Sequence, residues 1–460
     1  MNTGQRQRPT GSDRTRPSAR TGWRLGVALL AVGLVAAACG GREESGGGSG
    51  GDGSSTTVAE AVNLADPADC TSYAGTTGAD GATIKIGNSL PQSGTFKVFD
   101  KVRVGINAYF QFANAGGGVQ GKQMELVSLD DAYLPERTRA NAETLTQTDG
   151  VFALLGLVGT ENNKSVQQYF AETGQCVPNL AVATGFPGFG DPGADPWIIN
   201  GLPNYGLESV AFADYLGKNK PQAKVAILSQ NDSFGESYVK AFKQAIEGTG
   251  VTVVAEQTFD PRAESNAQGQ VTTLAGSGAD ALLLGVTSIP CPTALKSIQD
   301  SGWKPLTYVT LTCSSKVLMD LAGTAAEGTI STRATYDPSD PDNQSQPSVQ
   351  EFRTEGAKYG LAPEDLDDLN VATGWNFGAY LVQLLKASPE LERSKVMNTA
   401  WSQSGVTFGM NLDGIEWTTN GTDDPFGYEQ LQFVTRTGGK WVPEGEILDF
   451  SPQIDEQGGN

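Results

Sequence analysis

From Ala82 onward, short runs of β-branched and aliphatic residues alternate with stretches whose apolar positions recur every three to four residues. That alternation is the pattern of strands joined by helices that cross over a parallel sheet. It predicts strands at "ATIKIGNSL" (82–90), "QMELVSLD" (123–130), "VFALLGLV" (151–158), "VPNLAVA" (177–183) and "WIIN" (197–200), with helices starting near Phe96, Glu136 and Thr160. A second series follows at "AKVAILSQ" (223–230), "VTVVAEQTF" (251–259), "ADALLLGV" (279–286) and "LTYVTLT" (306–312), with helices from about Ser233, Glu264, Pro292 and Ser314. Two series of similar length imply two α/β lobes. The stretch "EDLDDLNVATGWNFGAYLVQLLKAS" (364–388) predicts a long helix, and from Val406 the chain turns Gly-rich and β-like. A helical return followed by a β-rich end means that the chain crosses between the lobes more than once.

The amino-terminal pattern is of another kind. Residues 1–24 carry six arginines and one aspartate, and fourteen mostly apolar residues, "LGVALLAVGLVAAA", then lead directly to Cys39. Such a run fits the hydrophobic core of an export signal and is too short to span a bilayer. The alanines before Cys39 resemble the lipobox of bacterial lipoproteins, which implies a leader over 1–38 and a lipidated Cys39. Cleavage of an ordinary secretory signal after Ala36 or Ala38 is the alternative. "GGREESGGGSGGDGSS" (40–55) has the composition of a flexible tether.

Charge and composition narrow the function. The formal charge is -20, from 52 acidic against 32 basic residues, which disfavours nucleic acid or anionic lipid as the main partner. Histidine is absent, so imidazole metal ligands and histidine-based catalytic triads are excluded; no metal site and no cofactor is expected. Export would place Cys70, Cys176, Cys291 and Cys313 where disulfides persist. Three pairings are possible. Cys291 follows one predicted strand and Cys313 ends the next, and consecutive parallel strands bring those ends together. The preferred pairs are therefore Cys291 with Cys313 and Cys70 with Cys176.

Two glycine clusters imitate phosphate loops. In "NAGGGVQGKQMELVSLDD" (114–131) the helix precedes the glycines and the strand follows them. The negative end of the helix dipole then faces the turn, and the glycines are expected to cap the helix. "GFGDPG" (188–193) satisfies G-x-G-x-x-G but runs into Ala-Asp-Pro, so no dinucleotide site is expected. The paired carboxylates at Asp130 and Asp131 and in "EDLDD" (364–368) are read as turn and helix-start residues, because no nucleophile stands beside a plausible base.

"IKIGNSLPQSGTF", "VRVGINAYFQFANAGGGVQGKQMELVSLDDAYLPERTRANAETL", "SQNDSFGESYVKAFKQAIEGTG" and "LAGTAAEGTIST" together resemble the branched-chain amino-acid-binding family of ABC-importer receptors. These are type I periplasmic binding proteins, and the resemblance runs from about Ala82 to Ser388. It implies two doubly wound lobes joined by three crossovers that close on a small ligand. The boundaries fall near Pro203 and Arg333, so that 80–203 with 334–392 form the first lobe and 204–333 with 393–450 the second. Residues 39–79 would be a tether and amino-terminal segment, and 451–460 a tail.

Ligands of open α/β sheets bind beyond the carboxyl ends of the strands, where "PQSGTFKVF", "VGTENNKS", "ATGFPGF", "SQNDSFG" and "LTCSS" lie; Ser93 and Gly159 belong to the first two loops. The resemblance implies that Thr160 holds a ligand carboxylate, that Val182 and Thr184 add a carbonyl and a hydroxyl, and that Phe99 and Phe234 form aromatic walls. It also implies an acidic residue for the ligand's ammonium near Leu311 or Thr312. None stands there before Asp320, and an unpaired buried ammonium would be costly; an amide or an organic or aromatic acid is therefore as acceptable a ligand as an amino acid. The expected function is an extracytoplasmic, lipid-anchored monomer that delivers a small molecule to an ABC permease. The alternative is a lipoprotein that signals ligand occupancy to a membrane partner. No catalytic residue is expected.

Overall fold

The computed structural model describes residues 63–260 and 266–451. The expected leader, Cys39 and the tether over 40–55 lie outside the described residues. The first lobe begins with β1 (Thr83–Leu90), α1 (Asp100–Ala115), β2 (Gln123–Asp130), α2 (Pro135–Glu143), β3 (Ala153–Leu155), α3 (Thr160–Thr173), β4 (Asn179–Val182) and β5 (Ile198–Asn200). Its sheet runs β2-β1-β3-β4-β5, parallel throughout. β3 and β4 are buried on both faces, as a sheet covered by helices on either side requires.

The second lobe continues with α4 (Tyr205–Asn219), β6 (Lys224–Gln230), α5 (Ser233–Ala245), β7 (Thr252–Phe259), α6 (Gln268–Ala275), β8 (Ala281–Gly285), α7 (Pro290–Ser301), β9 (Leu306–Val309), α8 (Lys316–Ala322) and β10 (Ile330–Arg333). The chain then returns through α9 (Pro347–Lys358), α10 (Leu369–Ala387) and α11 (Arg393–Ala400), and ends in β11 (Gln430–Thr437) and β12 (Lys440–Asp449). The second sheet runs β12-β11-β10-β9-β8-β6-β7; β6 to β10 are parallel, and β11 and β12 are antiparallel. The chain therefore passes between the lobes three times: before α4, after β10 and before β11.

α10 is the return predicted from its long apolar stretch, and it packs on α1 of the first lobe at backbone contact. A Cβ on Gly105 would stand 2.0 Å from the Val371 carbonyl oxygen, and one on Gly374 1.9 Å from that of Val102. Only glycine on both helices permits this approach. α4 was not anticipated. Every residue from Tyr205 to Ala213 is buried, so its sequence lacks the one-sided apolar stripe that marks a surface helix.

One boundary needs correction. Residues from 393 were expected in the second lobe, but the Arg393 guanidinium donates from Nε and Nη2 to the carbonyls of Phe152 and Val151, both at 2.8 Å. Trp401 Nε1 likewise donates to the Pro196 carbonyl, and Met410 N to Asn376 Oδ1 on α10. A guanidinium buried at this position needs carbonyl partners, and the first lobe supplies them. The passage into the second sheet comes only near Tyr428.

Both disulfides pair as expected, Cys70 with Cys176 and Cys291 with Cys313. The glycine cluster after α1 also does what its order predicts. Gly116 caps the helix through Phe112 and Ala113, and Gly118, at φ 72°, turns the chain where a Cβ would lie 1.9 Å from the Lys122 carbonyl oxygen. "GFGDPG" opens no helix: a short 3-10 turn, Pro187–Phe189, is followed by a loop. The carboxylate pairs are structural as well. Asp131 is buried under Ser89 and Thr138, Asp365 pairs with Lys101, and Asp368 caps α10.

Candidate functional site

The carboxyl ends of the first-lobe strands face the second lobe across a cavity of about 130 Å³. Its walls come from both lobes and from the crossovers: Phe99, Val102 and Gly159 from the first lobe, Phe234, Leu311 and Thr312 from the second, and Tyr205, Arg333 and Asn370 next to the crossovers. Most of the lining is apolar or aromatic, which suits a ligand with an apolar body held by a few polar groups.

The lobes also touch through side chains that do not line the cavity. Lys164 Nζ, on α3, donates to Ser233 Oγ on α5 at 2.7 Å, and Ser233 N donates to Glu161 Oε1 at 3.1 Å. A first-lobe carboxylate thus supplements Asp232 in capping a second-lobe helix. Desolvation would raise the Glu161 pKa, but the bonds from Ser233 and the nearby Lys164 hold it below the usual glutamate value. Ser288 Oγ reaches the Thr95 carbonyl at 3.4 Å. These contacts exist only with the lobes together.

The expected site residues separate into three groups. Phe99, Gly159, Phe234 and Thr312 line the cavity. Thr160, Val182 and Thr184 are buried behind it; Thr160 and Thr184 bond to each other through their hydroxyls at 2.8 Å. Ser93 lies apart from the cavity, where its hydroxyl donates to Asp130 Oδ2 at 2.6 Å. Tyr205 lies against Thr184, Gly185 and Thr160; burial pushes its phenol up to about 12, and those neighbours act in the opposite direction.

Three further polar residues were not singled out in the sequence. Glu208, one turn into α4, is fully buried beneath Leu311. Its carboxylate accepts hydrogen bonds from Tyr308 Oη and Leu311 N, both at 2.8 Å, and from Tyr238 Oη. Burial pushes its pKa up to about 7 against these donors. Asp337, which does line the cavity, accepts from Ser339 N and Oγ at 2.8 and 2.7 Å, and burial raises its pKa. Arg333 ends β10 at the crossover. Burial lowers its pKa, while Asp340 and Asp337 act through space to raise it. Asp320, the first acidic residue after Thr312, is half-exposed and pairs with Lys316 and Arg436.

Among the described residues no helix is long and apolar enough to cross a membrane. The sequence pattern of the periplasmic binding protein family matches residues 83–423. A Leu/Ile/Val-binding protein homolog of Brucella melitensis is 28% identical over 254 residues, 55% of this chain and 68% of that protein. Two solved structures share the fold. A branched-chain amino acid ABC transporter protein from Thermus thermophilus, with bound valine, has a TM-score of 0.72 at 19% identity over 82% of this chain and 98% of the other. A solute-binding protein of an ABC transporter from R. palustris, in complex with 4-hydroxybenzoate, has a TM-score of 0.68 at 20% identity over 80% and 98%. With two doubly wound lobes, three crossovers, an interlobe cavity and a family match over most of its length, the chain belongs to the periplasmic binding proteins, with the type I fold, and is a binding protein rather than an enzyme.

Proposed function

We propose that this chain is the receptor of an ABC importer, exported by a leader over 1–38, lipidated at Cys39 and held at the outer face of the cytoplasmic membrane. It works as a monomer on a flexible tether, captures one small amino acid, amide or organic acid between its lobes, and presents the closed form to a permease. The observation that carries this reading is the cavity lined from both lobes, with Glu161 and Lys164 of one lobe bonded to Ser233 of the other. A ligand that touches both lobes only when they are together draws the equilibrium toward closure by its differential affinity. The valine and 4-hydroxybenzoate bound by two proteins of the same fold support a small ligand carrying a carboxylate.

The test is a thermal-shift screen of the full chain against amino acids, amides, organic acids and aromatic acids. Selective binding to the folded state raises the unfolding midpoint, by about 2.7 kcal/mol of stability at a hundred times Kd. Lys164→Met, which removes one bond between the lobes, should weaken the ligand found by roughly three- to tenfold. A screen in which no compound shifts the midpoint, or a Lys164→Met protein that binds as tightly as the wild type, would count against capture by closure.

A further inference from the structure

Among the described residues Arg333 is the one basic residue on the cavity wall, and its guanidinium is incompletely paired. Nε and Nη2 both donate to Gln432 Oε1, at 3.2 and 3.0 Å, while Nη1 is shielded from solvent and has no acceptor. Asn370, at the start of α10, also lines the cavity, and its Nδ2 is likewise buried without an acceptor. Guanidinium and amide NH₂ groups can only donate, and a guanidinium stays charged. Leaving such groups unpaired in a buried site is unfavourable, and a carboxylate is the partner that a guanidinium fork matches best.

The rest of the cavity points the same way. Asp337, the acidic residue on its wall, receives both Ser339 bonds on one oxygen, Oδ1, and its charge is already set against the Arg333 guanidinium. A ligand ammonium brought to this carboxylate would therefore be repelled by the guanidinium beside it. The Thr160 and Thr184 hydroxyls bond to each other beside Tyr205, and neither residue lines the cavity, so the hydroxyl to which the family resemblance assigns a carboxylate is already engaged. The remaining wall includes Phe99, Val102 and Phe234.

We propose that the ligand is a small monocarboxylic acid with an apolar body and no ammonium, and that Arg333 at the hinge holds its carboxylate, with Asn370 as a second donor. This rests on the receptor reading above. It makes Arg333 the specificity-determining residue and moves the anion site from the first-lobe helix terminus to the crossover. Closure then follows directly, because Arg333 leads out of the second-lobe sheet and Asn370 belongs to a helix packed on the first lobe.

The experiment is isothermal titration of the full chain with benzoate, phenylacetate and hexanoate, each beside its amide, and with L-valine and L-phenylalanine. At least one acid should bind, its amide at least tenfold more weakly, and the amino acids more weakly still. Arg333→Gln should weaken the acid by thirtyfold or more while changing its amide by less than threefold. Arg333→Lys should recover part of the loss, and Asn370→Ala should cost three- to tenfold. An amide that equals its acid, or an Arg333→Gln protein that loses acid and amide alike, overturns the assignment. If an amino acid or amide binds best and Arg333→Gln leaves it unchanged, this inference fails while the receptor reading stands. If nothing in the panel binds, this inference fails, and the receptor reading is decided by the wider thermal-shift screen.

Discussion

Glu208 offers the sharpest test of the second-lobe wall. It is fully buried, and three donors converge on its carboxylate from Tyr238, Tyr308 and Leu311. Burial still dominates and raises its pKa from 4.5 to about 7. Below 4.5 the group is protonated in both the folded and unfolded chain, so its contribution to stability is complete there. As pH rises from 4.5 to 7 the unfolded chain releases the proton while the folded chain keeps it, and that contribution is lost. At about 1.4 kcal/mol per unit, a shift of this size corresponds to roughly 3 kcal/mol across the window. With an unfolding entropy of about 2.1 cal/mol/K per residue, unfolding of the two lobes as one unit would convert this to roughly 4 °C.

The perturbation is Glu208→Gln, which keeps the shape and one acceptor and carries no proton to lose. Other buried acids, such as Asp131, also titrate over this range, so the readout is the difference between the two proteins. Ligand-free thermal midpoints measured from pH 4 to pH 8.5 should fall for wild type relative to the variant between pH 4.5 and 7, by about 4 °C in all, and then run parallel. Midpoints that remain parallel through that window would refute the argument that desolvation outweighs the three donors.

Gly105→Ala should lower stability by about 3 kcal/mol, because its Cβ would meet the Val371 carbonyl at 2.0 Å where two backbones touch; Gly217→Ala, in open space at the exposed carboxyl-terminal end of the otherwise buried α4, should instead raise it by about 0.5–1 kcal/mol, both read by denaturant unfolding. Replacing Cys291 and Cys313 together by alanine opens a loop of 22 residues and should cost about 3 kcal/mol. Ligand affinity should fall as well, since Cys313 ends the turn that carries Leu311 and Thr312. The same change at Cys70 and Cys176, 106 residues apart, should cost about 4–5 kcal/mol and leave affinity unchanged, because neither cysteine lines the cavity.

Of the residues expected at the site, four line the cavity and four lie behind or apart from it. Phe99, Gly159, Phe234 and Thr312 follow strand ends in the order that an open α/β sheet requires, so topology alone brings them together. Thr160, Val182 and Thr184 occupy equivalent positions, yet whether such a residue faces the cavity depends on what covers it; Tyr205 from the next lobe lies against Thr160 and Thr184, and Val182 is fully buried. Ser93 was assigned from its loop, but the loop turns it toward Asp130. Arg333 was visible only as a boundary. Its meaning depends on Gln432, 99 residues away, which takes two of its donors and leaves Nη1 without a partner.

The local pattern of the chain determined its two α/β series, the long return helix, the role of the glycines after α1 and the pairing of four cysteines. Each of these follows from periodicity, from turn chemistry or from the order of neighbouring strands, which act over a few residues or one crossover. Tertiary structure alone decided that α4 is a buried helix, that the segment from Arg393 stays with the first lobe, and which polar groups at the cleft are left to meet a ligand. Those outcomes depend on desolvation and on hydrogen-bond partners a hundred or more residues apart, such as Arg393 with Phe152 and Glu208 with Leu311. A buried polar atom is matched or left unmatched only once the whole chain has closed around it.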